Sequence, residues 1–185
     1  MKLKDIYSQE FINKLNNLNV GANLNSDDEV NGVIDIETIL KDLKFNFIKD
    51  NRLSGSGRIE GKSIYIDNSE ILARQRFSMA HELGHAMQNN RHANRNDDST
   101  DYNNEERKDE VFANTFAAQF LMPKKLVMST INNIIRNNNM DRSHLNDLQV
   151  QQIIKESAIE LKVSSGGMKY RMKNLEIFVP VKNGK

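Results

Sequence analysis

The stretch "RFSMAHELGHAMQNN", Arg76 to Asn90, holds two of the chain's four histidines four residues apart, with a glutamate directly after the first. On an α-helix, positions i and i+4 stack on one face, so His81 and His85 can present two imidazoles to one ion with Glu82 beside it. The apolar residues Ile71, Leu72, Met79, Ala80, Leu83 and Met87 predict such a helix, capped at Asn68 or Ser69, running to about Gln88 with this set as its buried stripe. The plain alternative is an amphipathic helix carrying two solvated histidines.

Working outward toward the N-terminus, "SIYID" at Ser63–Asp67 and "GRIE" at Gly57–Glu60 alternate as strands, joined at Gly61-Lys62 like a hairpin, and "FNFI" at Phe45–Ile48 is a third strand. If Ser63–Asp67 is a sheet edge, a substrate segment can pair along it. Before the strands, Asp35 is placed to cap a helix whose stripe is Ile36, Ile39, Leu40 and Leu43. Ile6, Phe11, Ile12, Leu15 and Leu18 predict one further helix, and 21–28 a loop.

Toward the C-terminus, 91–104 is polar without periodicity and reads as a solvated loop. A helix follows from near Glu105, with Val111, Phe112, Phe116, Ala117, Phe120 and Leu121 expected in the core, and Pro123 marks its end or the next helix's first turn. Two more helices are predicted between Asp147 and Leu175, with a turn at Val163–Ser165.

The 185 residues suffice for one compact domain, or for one with a small appendage. Lys and Arg number 26 against 25 Asp and Glu, so no global charge announces nucleic acid or an anionic membrane. The absence of cysteine excludes disulfides, thiol catalysis and Cys-type zinc sites, leaving histidine and carboxylate as ligands. No apolar leader or spanning run occurs, so the expectation is a cytoplasmic protein without membrane partners.

A catalytic zinc (Zn²⁺) takes three protein ligands and keeps one position open, so a third ligand is required. The extended metzincin pattern would need a histidine at position 91, which is Arg91, and a glycine at 88, which is Gln88; that subclass is excluded. His92 and His144 are available but read as ordinary surface residues. A carboxylate fits better: in "DEVFANTFAAQFLMP", Glu110 and Asn114 share one helix face, with Glu110 as the third ligand and Asn114 orienting a histidine. Glu106 and Asp109 are nearby, so the competing reading makes Glu110 part of a solvated, charged helix end.

With "RFSMAHELGHAMQ" and "EVFANTFAAQFLMP" on the page, and a weaker match in "LKVSSGGMKYRMKNL", the chain resembles the ImmA/IrrE family of cytoplasmic metallopeptidases from about Asp35 to Phe178. The resemblance implies zinc held by His81, His85 and Glu110, with Glu82 as catalytic base. It also implies a protein substrate, a helix-turn-helix repressor whose cleavage switches on genes of mobile elements or stress responses. Two departures stand out: Phe112 occupies a position that is often acidic in the family, and Asn89 and Asn90 stand where another histidine often follows the motif. His92, Tyr102, His144, Tyr170 and Arg171 are the candidates to steady a developing oxyanion.

The last segment has helix-turn-helix character: Ala158, Leu161, Val163, Met168 and Met172 sit at its contact positions, and residues 161–185 carry six cations against one acid. The rival function is a DNA-binding or repressor-binding regulatory module, with the metal site structural or unused, as in one half of a toxin and antitoxin pair. Gly166-Gly167 weakens that rival, because glycines make a poor recognition helix. The expected fold is α+β: a small antiparallel or mixed sheet against a mainly helical body, with zinc between two helices beneath the sheet. The expected division is an N-terminal helix and loop at 1–30, a metallopeptidase core at 31–140 and a C-terminal helical segment at 141–185.

Overall fold

The computed structural model describes residues 1–88, 94–95 and 104–178, of which 94–95 and 104–106 as backbone only. Most of the polar loop expected at 91–104, including His92 and Tyr102, lies outside the described residues, as do Asn89 and Asn90. A 3-10 turn at Leu3–Asp5 leads to helix α1 (Gln9–Asn16), whose N-terminus is capped by the Ser8 hydroxyl accepting from Phe11 N–H. Helix α2 (Ile36–Asp42) begins where Asp35 accepts from Thr38 N–H at 3.1 Å, and Ile36, Ile39, Leu40 and Leu43 are all buried, as their spacing predicts. Lys44 takes a left-handed conformation, φ 61°, which turns the chain sharply into the sheet.

The sheet is mixed. Strand β1 (Asn46–Asp50) pairs in parallel with β3 (Ser63–Asp67), which pairs antiparallel with β2 (Gly57–Glu60). Glu60 faces Ser63, so Gly61 and Lys62 form a two-residue hairpin, with Gly61 at φ 58° in the first turn position that a type II′ turn reserves for glycine. A two-residue strand β4 (Asn94–Arg95) pairs with β2 opposite Gly57 and Arg58, giving the order β1-β3-β2-β4. The strand Ser63–Asp67 is therefore central, with both backbone edges occupied, and cannot accept a substrate segment by strand addition. Ile59, Ile64 and Ile66 are fully buried beneath the helices.

Helix α3 (Leu72–Met87) starts later than its sequence predicts. Asp67 takes up Ser69 through both its N–H and its hydroxyl, making a turn that uses the expected cap, and Ile71 and Leu72 are left exposed at 73% and 53%. From Gln75 to Ala86 the helix is buried except at Phe77, because the sheet covers one side and helix α4 (Asn104–Leu121) the other. Pro123 precedes the first turn of α5 (Lys124–Asn137), where its missing N–H is of no consequence. Asn146 and Gln149 form a capping box on α6 (Asp147–Glu160), and the Ser164 hydroxyl caps α7 (Ser165–Asn174).

Ala113, Ala117, Phe120 and Leu121 form the buried side of α4, whereas Val111 and Phe112 are exposed at 61% and 41%. The sequence expectation of deep burial for those two fails because, at about 100° per residue, Phe112 lies about 100° and Val111 about 200° around the helix from Ala113, outside the arc of the buried set. The polar α3 residue Arg76 is 7% exposed and bridges three regions: its guanidinium donates to Ile34 O at 2.7 Å and to Lys162 O at 3.2 Å. Ile153, Ala158, Leu161, Met168 and Met172 from α6 and α7 belong to the same hydrophobic core as the sheet and α3. No helix of the described residues is long and apolar enough to cross a membrane.

Candidate metal centre

Two helices must approach closely for three side chains to converge, and a glycine permits it. A Cβ on Gly84 would stand 3.0 Å from Ala113 Cα and 3.2 Å from the Phe116 ring, tighter than carbon atoms ordinarily pack. Gly84 lies between the histidines in sequence, so the close approach of α3 and α4 occurs at the height where Glu110 has to reach across. An isolated glycine within a helical pattern is the signal that could have identified this contact.

His81 and His85 Nε2 lie 3.0 Å apart, and the Glu110 carboxylate lies 3.3 Å from the first and 3.1 Å from the second. All three are the group of potential metal donors found among the described residues. Asn114, one turn after Glu110, accepts through Oδ1 from His81 Nδ1 at 3.1 Å. With Nδ1 carrying the hydrogen, His81 turns a lone pair toward His85 and Glu110. Two imidazole nitrogens bound tetrahedrally to zinc at about 2.0–2.1 Å stand about 3.3 Å apart, close to the spacing here. The donor set therefore fits a divalent metal of the zinc type.

The electrostatics favour the same cation. Burial alone would raise the Glu110 carboxyl, but hydrogen bonding with His81 and His85 outweighs it and holds the group down at about 2, so the third donor is ionised at neutral pH. His81 is fully buried and His85 1% exposed, and His85 Nδ1 has no hydrogen-bond partner among the described residues. Such a concentration of buried donors around a carboxylate is costly unless positive charge stands among them.

Glu82 is fully buried on α3, on the side of the sheet. A Cβ on Gly57 of β2 would stand 3.0 Å from Glu82 Oε1 and 3.4 Å from Ser78 Cβ, so the bare backbone of β2 makes room for this carboxylate. Gly57, unlike Gly84, carries no sequence signal that marks it as a site residue without the fold. Asp109, the neighbour of Glu110, accepts from Gln88 Nε2 at 3.1 Å and ties the end of α3 to α4.

Several other candidates lie elsewhere. His144 is exposed and pairs with Asp141 at 2.9 Å, outside the donor group. Arg171 Nε donates to Met122 O at 2.8 Å, and Tyr170 is 64% exposed. The side chain of Glu106 lies outside the described ones.

No curated protein matches the chain. Residues 36–139, which run from α2 to the end of α5 and include both histidines, Glu82, Glu110 and Asn114, match the family described as the IrrE N-terminal-like domain, Peptidase_M78. That match spans more than half of the 185 residues, and the chain belongs to the M78 peptidases, the ImmA/IrrE family of metallopeptidases.

Proposed function

We propose that the protein is a cytoplasmic zinc endopeptidase that hydrolyses a peptide bond in a helix-turn-helix transcriptional repressor. The observation that carries the catalytic part is the convergence of His81 Nε2, His85 Nε2 and the Glu110 carboxylate within 3.3 Å of one another, beside the buried Glu82. Family membership supports the reaction class, and the repressor follows from what the family resemblance implies. A two-histidine site with no carboxylate in reach would have favoured the rival, a DNA- or repressor-binding regulator, whereas Glu110 reaches both histidines.

His81, His85 and Glu110 would hold the zinc. When bound, the metal lowers the pKa of a water and polarises the scissile carbonyl as a Lewis acid. Glu82 takes the proton from the attacking water and delivers it to the leaving amine, a role worth about 10²- to 10⁴-fold in rate for a well-positioned group. The backbone of β2 at Gly57 lies close against its carboxylate, so it needs little reorganisation before each transfer. Asn114 fixes the His81 ring and its tautomer through Nδ1.

The test is the metal content of the purified chain and of Glu110→Ala after dialysis without chelator, read by mass spectrometry. One zinc per chain, largely lost in the variant, is expected. A chain that takes up no metal even with zinc added would turn the assignment toward a binding module. Co-expression with helix-turn-helix proteins encoded nearby, followed by fragment masses, then tests the substrate.

A further inference from the structure

A groove of about 570 Å³ opens between α4 and α7, next to the metal centre. Its volume falls within the range of about 300–1,000 Å³ that small ligands and anchoring side chains occupy. Asn114 joins the two regions: it lines the groove and accepts from His81 Nδ1. Phe77, one helical turn before His81, forms the floor's apolar end, while Val111 and Tyr170 are among the large hydrophobic side chains left exposed, at 61% and 64%.

The charge of this groove is one-sided. Among the described residues Arg171 is the only charged one lining it, and α4 bears no charge from Val111 to its end at Leu121. Helix α7 contributes three cations and no acid; Lys169 and Lys173 are exposed, and on a helix they border the face formed by Gly166, Tyr170 and Asn174. Gly166 leaves that wall bare, since a Cβ there would meet nothing within 4 Å. An apolar trough with a cationic rim complements an apolar segment edged with carboxylates.

We infer that this groove docks an acidic segment of the protein substrate, apolar side chains in the trough and carboxylates along the Lys169–Lys173 rim, and so delivers the neighbouring chain to the metal centre. The inference rests on the peptidase reading and adds the chemistry of what is recognised. Asn114 makes the groove continuous with the site, so a segment held here lies one side chain from His81.

The probe is a phage-displayed library of random dodecapeptides, selected on the zinc-loaded, full-length Glu82→Gln chain so that bound peptides are not cut. Enrichment of Asp and Glu beside Leu, Phe or Met is expected, with binding lowered at least tenfold by Gly166→Leu, which fills the trough from an open position. Lys169→Glu with Lys173→Glu should abolish the acidic bias without relying on the glycine variant. An absence of acidic bias, or equal recovery of the same peptides on Gly166→Leu, overturns the inference. Displacement of the selected peptides by duplex DNA, or a dimer in sedimentation that Gly166→Leu disperses, assigns the groove to nucleic acid or to a second copy and also overturns it. Zinc content and Glu82-dependent hydrolysis of casein by the unsubstituted chain report separately on the peptidase reading, so each can fail alone.

Discussion

Helices α3 and α7 both carry polar side chains in an amphipathic sequence, yet the protein uses them in opposite ways. Helix α3 is buried on nearly every side, and its ionisable groups His81, Glu82 and His85 are enclosed by the sheet and α4. Helix α7 buries only Met168 and Met172, leaving Tyr170 and two lysines toward water. The lesson is one of placement: the ionisable groups that must be held in place lie in the enclosed helix, and the surface inferred to dock substrate lies on one that is largely exposed.

The difference can be broken most severely at the constrained end. Replacing Glu82 by Gln keeps the shape but removes the base, so steady-state hydrolysis should fall by about 10²- to 10⁴-fold while zinc content holds. Retained turnover would remove Glu82 from the mechanism. Next in size, Asn114→Ala deletes the acceptor that orients His81, and competition with a chelator should report zinc affinity lowered by about 10- to 100-fold. Unaltered affinity would mean that the ring is fixed by its packing alone.

The two glycines sharpen the comparison, because the same substitution should act with opposite sign. Gly84→Ala forces a methyl against the Ala113 backbone and should destabilise the fold by about 1–3 kcal/mol in urea titration. Gly166→Ala meets nothing and lies in a helix, so a smaller stabilisation of up to about 1 kcal/mol is expected. Destabilisation at both would show that α7 is as tightly packed as α3.

The pair of histidines was legible because helical spacing alone aligns them, and Glu110 because a carboxylate beside an apolar stripe needs a partner. The family resemblance agreed on the same residues, and the match over 36–139 bears out the family. Other features depend on distant neighbours and escaped. The start of α3 moved because Asp67 claimed Ser69, a competition between two local hydrogen-bonding options. The central place of β3 followed from β1 crossing over to pair on its far side, which strand patterns do not encode. Val111 looked like core, yet the α4 face it occupies opens onto the groove.

Arg76 links residues that are far apart in the order of synthesis. Its guanidinium bonds one carbonyl 42 positions earlier and another 86 positions later. Without the segment after α5, the buried Arg76 guanidinium would keep the Ile34 acceptor and lose that of Lys162. Leaving such a group half satisfied costs about 1–3 kcal/mol, so the contact with Lys162 supports the helix that carries His81 and His85. The burial of the helix that bears the metal donors thus depends on a carbonyl, that of Lys162, lying outside the family-matched stretch 36–139.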